Sequence, residues 1–394
     1  MMRRIAVAAL LVVAAVAPAA RAVPPLPVES VPCIAGIVPE RTVLVGGTSV
    51  PMPVDARPAG SLPALGVQAY VLPSADRAAQ VAAAVRALPG VEWAQVDRPV
   101  HGLRTPNDPM FVQQWSLDAV HAPAAWNVET GRRNHVLVAV LDTGVDASHP
   151  DLMGHVRAGG DFVDGDTDPS DEFGHGTAVS GVIAASTNNK LGVAGISWGA
   201  TVLAERVLGA EGSGSMCTVA FGIVDAVDAG AKVLNLSLGG AGDACPLIMS
   251  KALSYAHDHG ALVVVSAGND GGHGNPVDYP AGCAGAFAVG ATDPNDHRAG
   301  FSEYGPQVDI TAPGVLVLTT SWEKGGQHGY AFESGTSLSA PIVSGAAALL
   351  LSRHPEWSPD QVQARLMATA TDKGKRGRDD YFGVGIVDVG RALR

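Results

Sequence analysis

The chain has 394 residues, 47% hydrophobic and only 5% aromatic, with 48 glycines. That supplies a large core spread over two or three domains, closely packed through small residues and tight turns. A formal net charge of −12 excludes nucleic acid and anionic membrane as main partners.

The first 22 residues, "MMRRIAVAALLVVAAVAPAARA", place two arginines before an apolar core that ends in Ala20-Arg21-Ala22. This is the order of a secretory signal peptide, and the core is too short to span a bilayer. No other run reaches spanning length without charges or breakers. A secreted protein, extracellular or periplasmic, is therefore expected, and disulfides are permitted. The cysteines Cys33, Cys217, Cys245 and Cys283 fit no zinc spacing. Cys245–Cys283, which brackets a glycine-rich region, is the preferred pair, with Cys217–Cys245 second. If Cys33 leaves with a pro-segment, Cys217 is a lone thiol.

Residues 23 to 66 are rich in Pro, Gly and Val and carry no assignable period. Beyond them "VQAYVL" reads as a strand, "SADRAAQVAAAVRAL" as a helix capped by serine, and "GVEWAQVDRPV" as a turn and strand. A small α+β unit ends near Val100, and "HGLRTPNDP" follows as a polar linker. From Asn134 the runs "HVLVAVLD", "GATVLAERVL", "AKVLNLSL", "GALVVVSAG" and "GAFAVGAT" read as strands apolar on both faces. Helical stretches "GTAVSGVIAAS", "MCTVAFGIVDAVDAG" and "PLIMSKALSYAHDHG" separate several of them, and "SPDQVQARLMATA" is a later helix. The implied fold class is α/β: a three-layer α/β/α domain with a mostly parallel sheet, preceded by the small α+β unit. Ligands in such sheets bind at the carboxyl ends of the strands.

In "FESGTSLSAPIVSGAAALLL", Ser337 stands at the mouth of a very apolar helix. The hydroxyls there are ordinary helix caps, unless one of them is a nucleophile using the free N–H groups and the positive end of the dipole. A nucleophile needs a base, and the base an orienting acid. "VLVAVLDTGVD" puts Asp142 at a strand's carboxyl end, and "FGHGTAVSG" puts His175 at a helix start. A competing motif, "GISWG" around Ser197, has the spacing of an esterase elbow, but a strand rather than a helix follows it.

"AVLDTGVD", "GHGTAVSGVIAA", "SLGG", "SAGND" and "SGTSLSAP" resemble, in order and spacing, the signatures of the subtilisin-like serine proteases, the subtilases, and are most similar to their secreted bacterial, thermitase-like members. The departures are small. Ala178 stands where many members have a histidine, and Leu338-Ser339 replaces Met-Ala. The resemblance implies Asp142 as orienter, His175 as base and acid, Ser337 as nucleophile and Asn269 as oxyanion donor. Gly212, Ser213 and Gly214, with Ser237, Leu238 and Gly239, would pair with an extended polypeptide substrate. Asp278, before Tyr279-Pro280, would lie at the base of the pocket for the residue preceding the cut bond and favour Arg or Lys there. The resemblance also implies an autocatalytically removed propeptide (23–104), a catalytic domain (105–394) and a monomer whose partners are substrates and its own propeptide. Calcium is the implied cofactor, structural rather than catalytic. One site would use Asp108, Asp151 and Asn189 with carbonyls of Ser186, Leu191 and Val193; a weaker one would use Asp161, Asp164, Asp166 and Asp168. A catalytically silent secreted binding domain of the same fold, or an esterase using Ser197, is the alternative.

Overall fold

A computed structural model describes residues 39–47, 52–97, 104–323 and 327–394. The expected signal peptide, Cys33 and the first three residues of the linker after Val100 lie outside the described residues. The chain divides into two compact units at His101/Gly102.

The first unit contains β1 (Thr42–Gly47), β2 (Arg57–Leu62), β3 (Val67–Val71), α1 (Ala75–Val85) and β4 (Val91–Val96). Its antiparallel sheet has the order β2-β3-β1-β4. Ser74 caps α1 by accepting from Arg77 N at 3.2 Å. Ala78, Val81, Ala82 and Val85 recur at helical spacing and bury one face of α1 with Val43, Val45, Leu72 and Ala94. Strands β1 and β2 come from the stretch that showed no period. β2, "RPAGSL", is an edge strand whose Pro and Gly erase the alternation expected of a strand.

The second unit opens with the short helices α2 (Trp115–Ala119) and α3 (Ala122–Trp126) and strands β5 (Leu137–Asp142) and β6 (Val156–Asp161). Then come α4 (His175–Ala184), β7 (Thr201–Arg206), α5 (Met216–Asp228), β8 (Val233–Leu236), β9 (Gly240–Ala241) and α6 (Leu247–Asp258). The remainder is β10 (Leu262–Ser266), β11 (Asp278–Tyr279), β12 (Phe287–Thr292), β13 (Ile310–Pro313), the hairpin β14 (Val317–Glu323) and β15 (Gln327–Glu333), α7 (Thr336–Arg353), α8 (Pro359–Thr369) and α9 (Val389–Ala392). Seven strands form a parallel sheet in the order β13-β12-β10-β8-β5-β7-β6.

Alternate residues of β5 enter opposite cores. Val138 and Val140 pack with α4, α7 and α8, whereas Ala139 and Leu141 pack with α5 and α6. These are the three expected layers. The strand order reverses at β5, whose two neighbours are β7 and β8, and Asp142 ends that strand. A crevice is expected at such a reversal. Helix α7 has no polar face: every residue from Leu338 to Ser352 is buried. Among the described residues no helix is long and apolar enough to cross a membrane. Cys245 and Cys283 form a disulfide, and Cys217 is an exposed free thiol.

β6, "VRAGGD", has a cause for its glycines. The carboxylate of buried Glu205 on β7 occupies the space that a β-carbon at Gly159 would need, and its Oε2 accepts Gly160 N at 2.7 Å. Burial, reinforced by the nearby Asp225, pushes the Glu205 carboxyl up to about 8. Between the ordinary glutamate value near 4.5 and about 8, the folded state therefore holds a proton that the unfolded chain has lost. Stability from this group falls as pH rises through that window and levels off above it. Glu205→Gln should be the more stable protein at pH 9 by about 1–3 kcal/mol. The gain should shrink toward pH 5, and denaturant titrations across that range measure it.

Candidate active site

Asp142 is fully buried at the end of β5. Its Oδ1 accepts Thr143 N at 2.8 Å and bonds His175 Nδ1 at 2.7 Å. His175 is the first residue of α4, entered through Gly174 at φ 105°, a left-handed conformation that suits glycine. Burial opposes the imidazolium, but Asp142, then Asp171 and Glu333, outweigh it and hold His175 above its ordinary value.

One carboxylate joins these two elements, and the sequence reading missed it. Asp171 Oδ1 accepts Thr143 Oγ1 at 2.8 Å, Gly174 N at 2.7 Å and Phe173 N at 3.0 Å. Its Oδ2 accepts Thr177 N at 2.9 Å and Thr177 Oγ1 at 2.6 Å. The residue after Asp142 and the first turn of α4 thus hang on a single side chain. An acid just ahead of a helix start is a capping signal that could have revealed it.

Ser337 is the second residue of α7. Four residues on, Pro341 has no N–H to give the Ser337 carbonyl. Ser237 Oγ donates to that carbonyl instead, at 2.8 Å, and Ser337 Oγ donates to Ser237 O at 3.3 Å. Asn269 follows β10, and its Oδ1 accepts Thr336 N at 2.9 Å and Thr336 Oγ1 at 3.0 Å. With Oδ1 so held, the exposed amide group turns its Nδ2 away from Thr336, ready to donate.

Two hollows share His175 and Phe173. One of about 390 Å³ is lined by Gly212, Ser213 and Gly214 on one side and Ser237, Leu238 and Gly239 on the other. The second, of about 330 Å³, is lined by Asn269, Ser337, Ala178, Trp322 and Glu333. The cleft therefore brings together all four residues expected to do chemistry and both segments expected to bind substrate. Ser197 is elsewhere: it is buried against Gly131 and leads into β7. An esterase elbow there has neither exposure nor helix.

Asp278 lies in β11, paired with Ala241 of β9. Its carboxylate crowds Gly239, where a β-carbon would come within 3.3 Å of Oδ2. Burial and then Asp270 raise the Asp278 carboxyl. Behind it is the fully buried Glu303, whose carboxylate accepts the backbone N–H groups of Asp270 and Asp278, each at 3.3 Å. Burial, and next the charge of Asp278, push Glu303 up to about 7. No sequence pattern had singled out Glu303.

The six residues of the first expected calcium site converge. Buried Asp108 accepts Asn188 N at 2.8 Å and Asn189 N at 3.1 Å; buried Asp151 accepts Asn189 Nδ2 at 2.7 Å and Val193 N at 2.9 Å. Ser186 N donates to Asp151 O, and Leu191 N to Asn189 Oδ1. Burial, opposed by those amides, together with the charge of Asp151, raises Asp108. Two buried carboxylates close enough for the charge of Asp151 to raise Asp108 fit a hard cation.

At the second expected site, two of the four carboxylates already contact a guanidinium. Asp161 Oδ2 and Asp164 Oδ2 each bond Arg206 Nη1 at 2.6 Å, and Glu172 bonds Arg206 Nη2. Asp166 and Asp168 are exposed and accept N–H groups of Asp168 and Ser170 within the same loop.

The sequence profile of the subtilase family matches residues 133–385. The chain belongs to that family. This subtilase is 42% identical over 291 residues to thermitase from Thermoactinomyces vulgaris, covering 74% of this chain and 99% of that protein. It is 44% identical over 281 residues to subtilisin Savinase from Lederbergia lenta, covering 71% and 98%. Among solved structures, a protease of Pseudoalteromonas arctica PAMC 21717 superposes with a TM-score of 0.68 at 34% identity, covering 74% of this chain and 99% of the other.

Proposed function

We propose that this subtilase is a secreted serine endopeptidase that cuts polypeptides through an acyl-enzyme on Ser337 and removes its own pro-segment. The observation that carries the reading is the 2.7 Å bond from buried Asp142 to His175 in a cleft that also holds Ser337 and Asn269. Ser337 Oγ attacks the substrate carbonyl while His175 Nε2 takes its proton, and Asp142 stabilises the imidazolium that forms. The negative oxygen is met by Asn269 Nδ2 and the Ser337 N–H at the positive end of α7. His175 then returns the proton to the leaving amine, and water repeats the sequence to free the acid. The Asp142 bond to Nδ1 leaves Nε2 as the proton acceptor, which supports these roles.

Residues 1–22 are read as the leader and 23–104 as the pro-segment, with cleavage after Arg104, Leu103 or His101. Calcium would be held by Asp108, Asp151, Asn189 and the carbonyls of Ser186, Leu191 and Val193, neutralising two buried charges and fixing the loop. On the side of the residue preceding the cut bond, Asp278 with Glu303 behind it favours Arg or Lys, because crowded carboxylates gain from a cation.

A fluorophosphonate probe should label wild type on Ser337, and purified Ser337→Ala should remain unlabelled with residues 23–104 still attached. Labelling on Ser197, absence of labelling, or normal processing of the variant would each defeat the corresponding part of the reading. Excess chelator should lower the melting temperature of the mature protein, and Asp151→Ala should remove most of that response; a ligand at one hundred times its Kd contributes about 2.7 kcal/mol. With peptides differing only before the cut bond, wild type should prefer Arg to Phe. Asp278→Gly should reduce the preference at least tenfold, about 1.4 kcal/mol, and the preference should grow from pH 5 to 8 as Glu303, raised to about 7, ionises. A wild type preferring Phe contradicts the assignment.

A further inference from the structure

We propose that the cleft also selects on the far side of the cut, taking a cationic side chain at the first residue after the scissile bond through the carboxylate of Glu333. This rests on the endopeptidase reading. A substrate strand paired with Gly212–Gly214 and Ser237–Gly239 fills the 390 Å³ hollow and brings its carbonyl to Ser337. The chain beyond that carbonyl must leave past His175 on the other side, into the 330 Å³ hollow.

The walls of that second hollow differ in chemistry from the first. Among the described residues its lining carries one carboxylate, Glu333, and no lysine or arginine. Ala178 contributes only a methyl group to the wall beside His175, which leaves depth for a long side chain. Trp322 adds an indole face, the surface on which a guanidinium rests well. Glu333 is also held in place. It ends β15, paired with Val317 of β14, and Ser334 Oγ beyond it accepts Leu316 N at 2.9 Å. Its charge reaches His175, so it stands close to the reacting bond. The groups facing that histidine are Asp142 from β5, Asp171 from the loop before α4, and Glu333 from the hairpin. Asp142 and Asp171 are buried and committed to internal donors, whereas Glu333 is exposed to whatever enters. An arginine or lysine there gains an ion pair beside an aromatic face, and an acidic residue is repelled by the same carboxylate.

Internally quenched peptides sharing one sequence up to the cut and differing only in the next residue test this. Arg, its neutral isostere citrulline, Glu and Gly would be compared by kcat/KM. Wild type should cut the Arg peptide about tenfold better than the citrulline peptide, with Glu the poorest. The Arg-to-citrulline ratio should fall below threefold in Glu333→Gln and in 1 M salt. Glu333→Lys should make Glu preferred to Arg. Ala178→Leu should penalise Arg and citrulline alike relative to Gly, reading depth apart from charge. Equal rates for Arg and citrulline in wild type, or a ratio unchanged in Glu333→Gln, overturn the proposal while leaving the protease reading intact. No cleavage of any peptide by wild type, or cleavage surviving in Ser337→Ala, overturns both.

Discussion

A helix without a polar face must be buried on every side, and α7 is such a helix. Its burial beneath β8, β10 and β12 and beside α4 fixes where its first turn emerges, and Ser337 is in that turn. The cost falls at Pro341, which strips one carbonyl of its usual partner. The hydroxyl that repairs the loss comes from Ser237, on a segment lining the cleft. Packing and site geometry are thus joined at one bond: the group completing the helix also ties the cleft wall to the serine.

Electrostatics organises the other half of the cleft. Asp171 gathers five donors from Thr143, Phe173, Gly174 and Thr177, so β5 and α4 are held in register by one buried charge. Next to it in sequence, Glu172 joins Asp161 and Asp164 on Arg206. The loop leading to His175 is therefore anchored internally at both its start and its finish. Loss of either partner would leave buried charge uncompensated.

The large parallel sheet and its helices were legible because strands apolar on both faces and capped helices leave strong local signals, as in "VLVAVLD" and "SPDQVQARL". The residues of the cleft were legible through motifs. What escaped was whatever depends on contact across the fold. β6 is not assigned from the sequence, because its glycines answer Glu205 on another strand. The acidic loop gives no sign that Arg206, about forty residues away in sequence, pairs with Asp161 and Asp164. Glu303 gives no sign of itself because its neighbours Asp270 and Asp278 come from a different segment. The disulfide was placed correctly because its two cysteines bracket one compact stretch, from α6 to the turn before β12.

The protonated acid between β6 and β7 has a bearing on how stability and the state of the cleft respond to pH. Mild acidity keeps Glu205 neutral and the sheet edge tight, and it keeps His175, itself held above its ordinary value, charged and unable to accept a proton. Alkalinity frees the imidazole and loosens that edge together. Two unrelated side chains are thus opposed in pH: the rise that frees the imidazole in the cleft also removes the stability that the protonated Glu205 contributes at the sheet edge.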